Sequence, residues 1–95
     1  MQAPKVDLVN NVFTWSFGGQ NVYLSGNFNQ WKEKIPMKKT GNEFTLIKPL
    51  ERGVYQYKFI VDDVWKHAPD QPITRDPNGN INNIIDTTHY QTAPA

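Results

Sequence analysis

Cysteine is absent from the 95-residue chain, which excludes disulfide staples, thiolate zinc sites and cysteine nucleophiles. No run of about 18 apolar residues occurs, so no membrane-spanning helix is expected. The sequence has no Asn-x-Ser/Thr glycosylation acceptor, and Met1-Gln2-Ala3-Pro4-Lys5 is no apolar signal segment. A surplus of one charge is missing as well. Ten basic against nine acidic residues leave a net charge of +1, short of the basic excess that a phosphate-tracking surface needs. These absences predict an intracellular, cytoplasmic protein with no membrane and no nucleic-acid partner, either whole or as one domain of a longer chain.

Helical periodicity is also lacking: nowhere do ten residues keep a 3.6 repeat. What is present is a repeat of two. Phe13, Trp15 and Phe17 fall on one face with Thr14 and Ser16 opposite, which predicts a strand over Val12 to Phe17. Val22 to Gly26 reads as a second strand. A third, around Ile35 to Lys39, carries Pro36 and so reads as an edge. Thr40-Gly41-Asn42-Glu43 is a hairpin turn into Phe44 to Leu50. The strongest signal follows, with Tyr55, Tyr57, Phe59 and Val61 alternating with Gln56, Lys58 and Ile60. Asp62-Asp63 then turns into Val64-Trp65-Lys66. From His67 to Asn80 three prolines and little periodicity predict an ordered loop, and Asn82 to Asp86 a last strand.

About seven short strands with regular turns predict an all-β domain, an immunoglobulin-like antiparallel β-sandwich. A small barrel has the same strand count and stands as the alternative. One domain is expected over 1–95, with its core at about 8–86 and flexible tails at 1–7 and 87–95.

Catalytic chemistry finds little support. His67 and His89 sit in a proline-rich loop and in the tail, with no metal-ligand spacing to another His or acid. Asp62 and Asp63 are adjacent turn formers, and Gly18-Gly19 opens no helix that could cradle a phosphate. The expectation is no enzyme, no metal and no cofactor.

Aromatic residues make up 13% of the chain. Trp15 reads as core from its alternation. Trp31 ends the polar stretch Asn27-Phe28-Asn29-Gln30, and Trp65 lies just past a turn; each is either a lid over the core or an exposed stacking platform. A sugar ring suits such a platform, because its C–H face is apolar while its hydroxyls need fixed donors and acceptors at the rim. Lysine ammoniums and asparagine amides supply those. Lys58 lies on the non-core face of the best strand, and Asn78, Asn80, Asn82 and Asn83 crowd one stretch, where turn chemistry around Gly79 is the plainer reading of Asn78 and Asn80.

Taken in order, Val22-Tyr23-Leu24-Ser25-Gly26-Asn27-Phe28-Asn29-Gln30-Trp31, then Tyr55 to Asp62 with Trp65, then Asn82-Asn83-Ile84-Ile85 resemble the three signatures of the starch- and glycogen-binding carbohydrate-binding modules, family 48 type. The nearest match among these is the glycogen-binding domain of the AMP-activated protein kinase β subunit. The resemblance runs from about Val12 to Ile85.

The resemblance implies a sandwich that binds α-1,4-linked glucan (glycogen, starch, maltooligosaccharides, cyclodextrin) without cleaving it. It implies that Trp31 and Trp65 stack on glucose rings while Lys58 and Asn82 hydrogen-bond their hydroxyls. Asn78 stands where relatives often carry a leucine that threads a curved glucan, and Asn80 where they carry a hydroxyl residue. Asp63 replaces a usual glycine. Thr40 falls where some relatives carry a regulatory phosphoserine, which makes it a candidate phosphosite. Kinase catalytic and regulatory subunits are further implied partners. The competing expectation is a protein-interaction domain of a kinase regulatory subunit with weak or no sugar binding.

Overall fold

The structure, a computed structural model, describes residues 8–90. Nine strands follow one another: β1 (Leu8–Trp15), β2 (Val22–Gly26), β3 (Ile35–Pro36), β4 (Lys38–Thr40), β5 (Glu43–Glu51), β6 (Val54–Val61), β7 (Val64–Lys66), β8 (Ile73–Arg75) and β9 (Ile81–Asp86). A 3-10 turn over Asn27–Asn29 leaves β2. One sheet has the order β1-β5-β4. The other runs β3-β2-β6-β9-β8, with β7 also paired to β6. Every pairing is antiparallel. Two separate sheets packed face to face make the sandwich, not the barrel.

The alternation read from the sequence decides what lies between the sheets. Phe13 and Trp15 of β1 and Phe44 and Leu50 of β5 meet Val22 and Leu24 of β2 and Tyr57, Phe59 and Val61 of β6. Their rings pack by edges. Phe13 and Tyr57 are T-shaped at 4.9 Å, and Trp15 lies 5.1 Å from Phe59. Offset and edge contacts of this kind suit the ring quadrupole.

Three local expectations change. The first strand ends at Trp15, whose indole Nε1 donates to the Gly18 carbonyl at 2.9 Å. Phe17 is therefore 50% exposed, an edge neighbour of Trp15 at 5.2 Å and no part of the core. The single strand expected at Ile35 to Lys39 is two. Pro36, which has no N–H for a ladder, pairs with Tyr23 in one sheet, while Lys38 pairs with Thr45 in the other. Met37 makes the crossing, its side chain buried and its N–H donating to the Val22 carbonyl at 2.9 Å. Third, a short strand, β8, lies inside the proline-rich loop.

Thr87 is no loose tail either. It is fully buried, and its hydroxyl accepts from the Gly53 N–H and donates to the Gly53 carbonyl, both at 3.0 Å. Of the tails expected at 1–7 and 87–95, residues 1–7 and 91–95 lie outside the described residues. No helix among the described residues is long and apolar enough to cross a membrane.

Candidate functional site

β6 is central to its sheet and divides its side chains by parity. Tyr55, Tyr57, Phe59 and Val61 face the core, and Gln56, Lys58 and Ile60 face outward. The register then fixes the neighbours on the outer face: Lys58 lies opposite Ser25, Ile60 lies between Tyr23 and Trp65, and Thr74 lies opposite Asn82. Ile60 is nearly inaccessible although it points away from the core. A buried aliphatic on the outer face of a sheet means that larger groups roof it, and Trp65 is its cross-strand partner.

Trp31 reaches the same face by an unusual backbone. After the 3-10 turn, Gln30 (φ 58°) and Trp31 (φ 60°) are both left-handed, a conformation rare for non-glycine residues. Three hydrogen bonds hold it there. Trp31 N donates to the Gly26 carbonyl at 2.9 Å, Gln30 N to Asn27 O at 3.2 Å and Lys32 N to Asn29 O at 3.2 Å. Below the turn Phe28 enters the sandwich end, 6.1 Å from Phe13 and 6.3 Å from Tyr55. Gly26 permits that entry, since a Cβ there would lie 2.3 Å from the Phe28 ring and 2.7 Å from the Gln56 carbonyl.

Trp65 is delivered by the hairpin between β6 and β7. Asp62 (φ 49°) and Asp63 (φ 70°) are both left-handed, the requirement of a two-residue turn matched to strand twist. Asp63 thus keeps the hairpin without the glycine. Asp62 adds a second function: its Oδ1 accepts the N–H groups of Gln20 at 3.0 Å and Asn21 at 2.9 Å.

The two indoles, 34 residues apart in sequence, sit with ring centroids 6.4 Å apart and planes inclined by 53°. Trp31 is 37% and Trp65 43% exposed, whereas Trp15 is 3% exposed. They border an open groove of about 480 Å³ that Lys58, Asn80 and Asn82 also line, together with Asn27, Gln56 and Asp76. Asn78 does not line it; its backbone N–H donates to Asp76 Oδ1 at 2.9 Å. Thr40 is exposed on β4 in the other sheet, its Oγ1 2.9 Å from Thr45 Oγ1.

Asparagines in one run have three different tasks. Asn82 donates its amide to Gln56 Oε1 at 3.0 Å on the groove floor. Asn83, one residue on, points inward and is fully buried; it accepts the Ala68 N–H at 2.7 Å and donates to the carbonyls of Ala68 and Pro72. It knits the proline-rich loop to β9. Asn80 holds Asp76 through its backbone N–H at 2.9 Å and its Nδ2 at 3.0 Å. Asn80's side chain, then its backbone N–H, the Asn78 N–H and the charge of Lys58 hold the Asp76 carboxyl below the usual carboxylate range, against some loss of hydration.

Gln56 and Asn27 were not singled out in the sequence. Strand parity carried the signal for Gln56, which lies two residues before Lys58 on the same face; Asn27 is set by the turn, its Oδ1 accepting the Gln56 N–H at 3.0 Å. Lys34, whose Nζ stands 6.0 Å from the Trp65 ring centre, had no sequence signal.

The β-sandwich thus turns two half-exposed indoles and a rim of amides toward one groove. The chain belongs to the family described as the glycogen recognition site of AMP-activated protein kinase, whose model matches residues 9–93. It is 42% identical over 79 residues to the SNF1-related protein kinase regulatory subunit beta-2 of Arabidopsis thaliana, which covers 83% of this chain and 27% of that protein. To the human 5'-AMP-activated protein kinase subunit beta-2 it is 47% identical over 74 residues, 78% of this chain and 27% of the human protein. A pig 5'-AMP-activated protein kinase subunit beta-1 sequence is 47% identical over 74 residues, covering 78% of this chain and 60% of its own length. The chain thus spans little more than a quarter of the length of the first two relatives.

Proposed function

We propose that this chain is a non-catalytic module that holds a kinase regulatory subunit on an α-1,4 glucan such as glycogen or starch in the cytoplasm. The observation that carries the reading is the indole pair, adjacent, half-exposed and inclined by 53°. A flat platform would suit a flat chain; two inclined planes suit a glucan that curves from one ring to the next. Trp31 and Trp65 stack on the apolar faces of successive glucose rings, and Lys58 and Asn82 fix register through the hydroxyls.

The energetics favour many weak contacts over one tight one. An aromatic stack contributes at most ~1–3 kcal/mol per ring by analogy with bases on aromatic platforms. Two stacks and a few solvated hydrogen bonds give micromolar to millimolar affinity for a short oligosaccharide. Retention on a glycogen particle follows from its many chain ends. Trp31→Ala should therefore lose co-sedimentation with glycogen while keeping its β-sheet circular dichroism; wild-type co-sedimentation by that variant contradicts the reading.

One observation favours a second contact elsewhere on the molecule. On the outer face of the three-stranded sheet Val12 and Ile47 are directly paired across β1 and β5, 58% and 61% exposed. This apolar pair is far from the glucan groove in the topology, and it suits packing against another subunit of the kinase complex.

A further inference from the structure

The groove brings one anion, Asp76, and one cation, Lys58, to the same lining. Asp76 is fixed from its own loop: Oδ1 accepts the N–H groups of Asn78 and Asn80, and Oδ2 accepts Asn80 Nδ2. An ionised carboxyl has about four acceptor positions, so one on Oδ2 is unfilled, and the group cannot turn away to fill it. Lys58 reaches from β6 and makes no hydrogen bond or ion pair with any described residue, which leaves its three donors open. Lys58 and Asp76 do not close on each other either, although the lysine charge is felt at the carboxylate. A fixed acceptor and a free donor of opposite charge thus share one groove with a gap between them.

We infer that Lys58 and Asp76 together read the vicinal diol of a single glucose ring, the ammonium donating to one hydroxyl oxygen and the carboxylate accepting the proton of the next. This rests on the groove being the glucan site proposed above. In an internal ring of an α-1,4 glucan, the C1 and C4 oxygens are engaged in linkages, so the C2 and C3 hydroxyls are the only adjacent pair. One hydroxyl of such a pair can accept while its neighbour donates, which matches a separated cation and anion and not two like groups. Asn82 and Gln56 also line the groove, but as neutral amides already linked to each other through Asn82 Nδ2 and Gln56 Oε1. Hydrogen bonds to ionised groups are also about twice as strong as neutral ones. Asp76 is then a specificity contact as well as a loop cap.

The two functions separate experimentally, because loop shaping weakens every glucan equally whereas a contact is felt only by a sugar carrying the contacted hydroxyl. Calorimetric titrations would use maltoheptaose and its C2- and C3-deoxygenated derivatives against wild type, Asp76→Asn and Lys58→Met. Loss of a hydrogen bond to a charged group should weaken wild-type binding about tenfold for each deoxy sugar. Asp76→Asn should show less than about a twofold further loss for the hydroxyl it reads, and Lys58→Met the same for the other position. Deoxygenation losses in both variants equal to those of wild type overturn the inference while leaving native maltoheptaose binding, and so the glucan site, intact. Lys58 makes no hydrogen bond or ion pair with any described residue, so its variant keeps the test decisive should Asp76→Asn disturb the loop. Failure of wild type to bind native maltoheptaose overturns the glucan reading itself.

Discussion

Tyr57 donates its hydroxyl to Gln71 Oε1 at 2.6 Å, and Gln71 in turn donates its amide to the Thr14 carbonyl at 2.7 Å. The ring of Tyr57 packs on Phe13 in the core, while Gln71 belongs to the proline-rich loop, so the two residues tie that loop to both sheets. The loop ends in Asp76 and Asn80, which line the groove. Core packing and groove geometry are coupled through this pair.

The pair carries a pH signature. Burial, then the charges of Asp70 and Tyr90, push the Tyr57 hydroxyl from 10.0 up to about 12. A folded value raised above the unfolded one means stability that is whole below pH 10 and lost as pH climbs from 10 toward 12. Chemical denaturation between pH 9 and 12 should show that decline. Tyr57→Phe should flatten it and lower stability at pH 7 by about 1–2 kcal/mol, since Gln71 Oε1 loses its donor. An unchanged decline in the variant would assign the alkaline loss to other groups.

Left-handed backbone at Gln30 and Trp31 predicts a sharp residue preference at position 30. Its side chain is exposed, so substitutions act through φ alone. Gln30→Gly should be neutral or stabilising, whereas Gln30→Val should cost about 1–3 kcal/mol, because a β-branched residue resists this region. Thermal melts of the two variants check it; equal stability would mean that the turn does not hold this conformation in solution.

The two aspartates of the β6–β7 hairpin should separate in the same way. Asp63→Gly relieves a left-handed side chain and should raise stability by about 0.5–1 kcal/mol. Asp62→Ala strips the acceptor from the Gln20 and Asn21 N–H groups and should cost about 1–3 kcal/mol. Urea titration of both reads the difference directly, and a stabilised Asp62→Ala would contradict the cap.

Phe28 predicts a coupling between core and platform. Its removal should cost about 2–4 kcal/mol for a partly buried phenyl, and it should also free the turn that aims Trp31. Phe28→Ala is therefore expected to weaken maltoheptaose binding at temperatures where it is still folded. Wild-type affinity in the folded variant would show that the turn holds Trp31 alone.

Much of this was readable from period-two alternation, because one buried face per strand fixes which side chains meet the core. Tyr55, Tyr57, Phe59 and Val61 needed only parity, and parity also put Lys58 outside. Alternation failed where the chain leaves a ladder. Phe17 keeps the pattern of Phe13 and Trp15, yet Trp15 Nε1 folds the chain back at Gly18. Met37 hides a change of sheet inside what reads as one strand. Asn82 and Asn83 are chemically identical in the sequence, and only the strand register separates the groove amide from the buried one. Asp76 could be put near the site from the sequence but given no role there: its loop has no period, and its place in the groove depends on hydrogen bonds from Asn78 and Asn80 a few residues on.

The most direct measurement is an NMR titration with maltoheptaose that follows the three indole Nε1–H resonances. The account predicts that Trp31 and Trp65 shift together along one saturation curve, while Trp15, 3% exposed and bonded to the Gly18 carbonyl, stays still. No shift of Trp31 and Trp65 at saturating sugar, or a shift confined to Trp15, would contradict it.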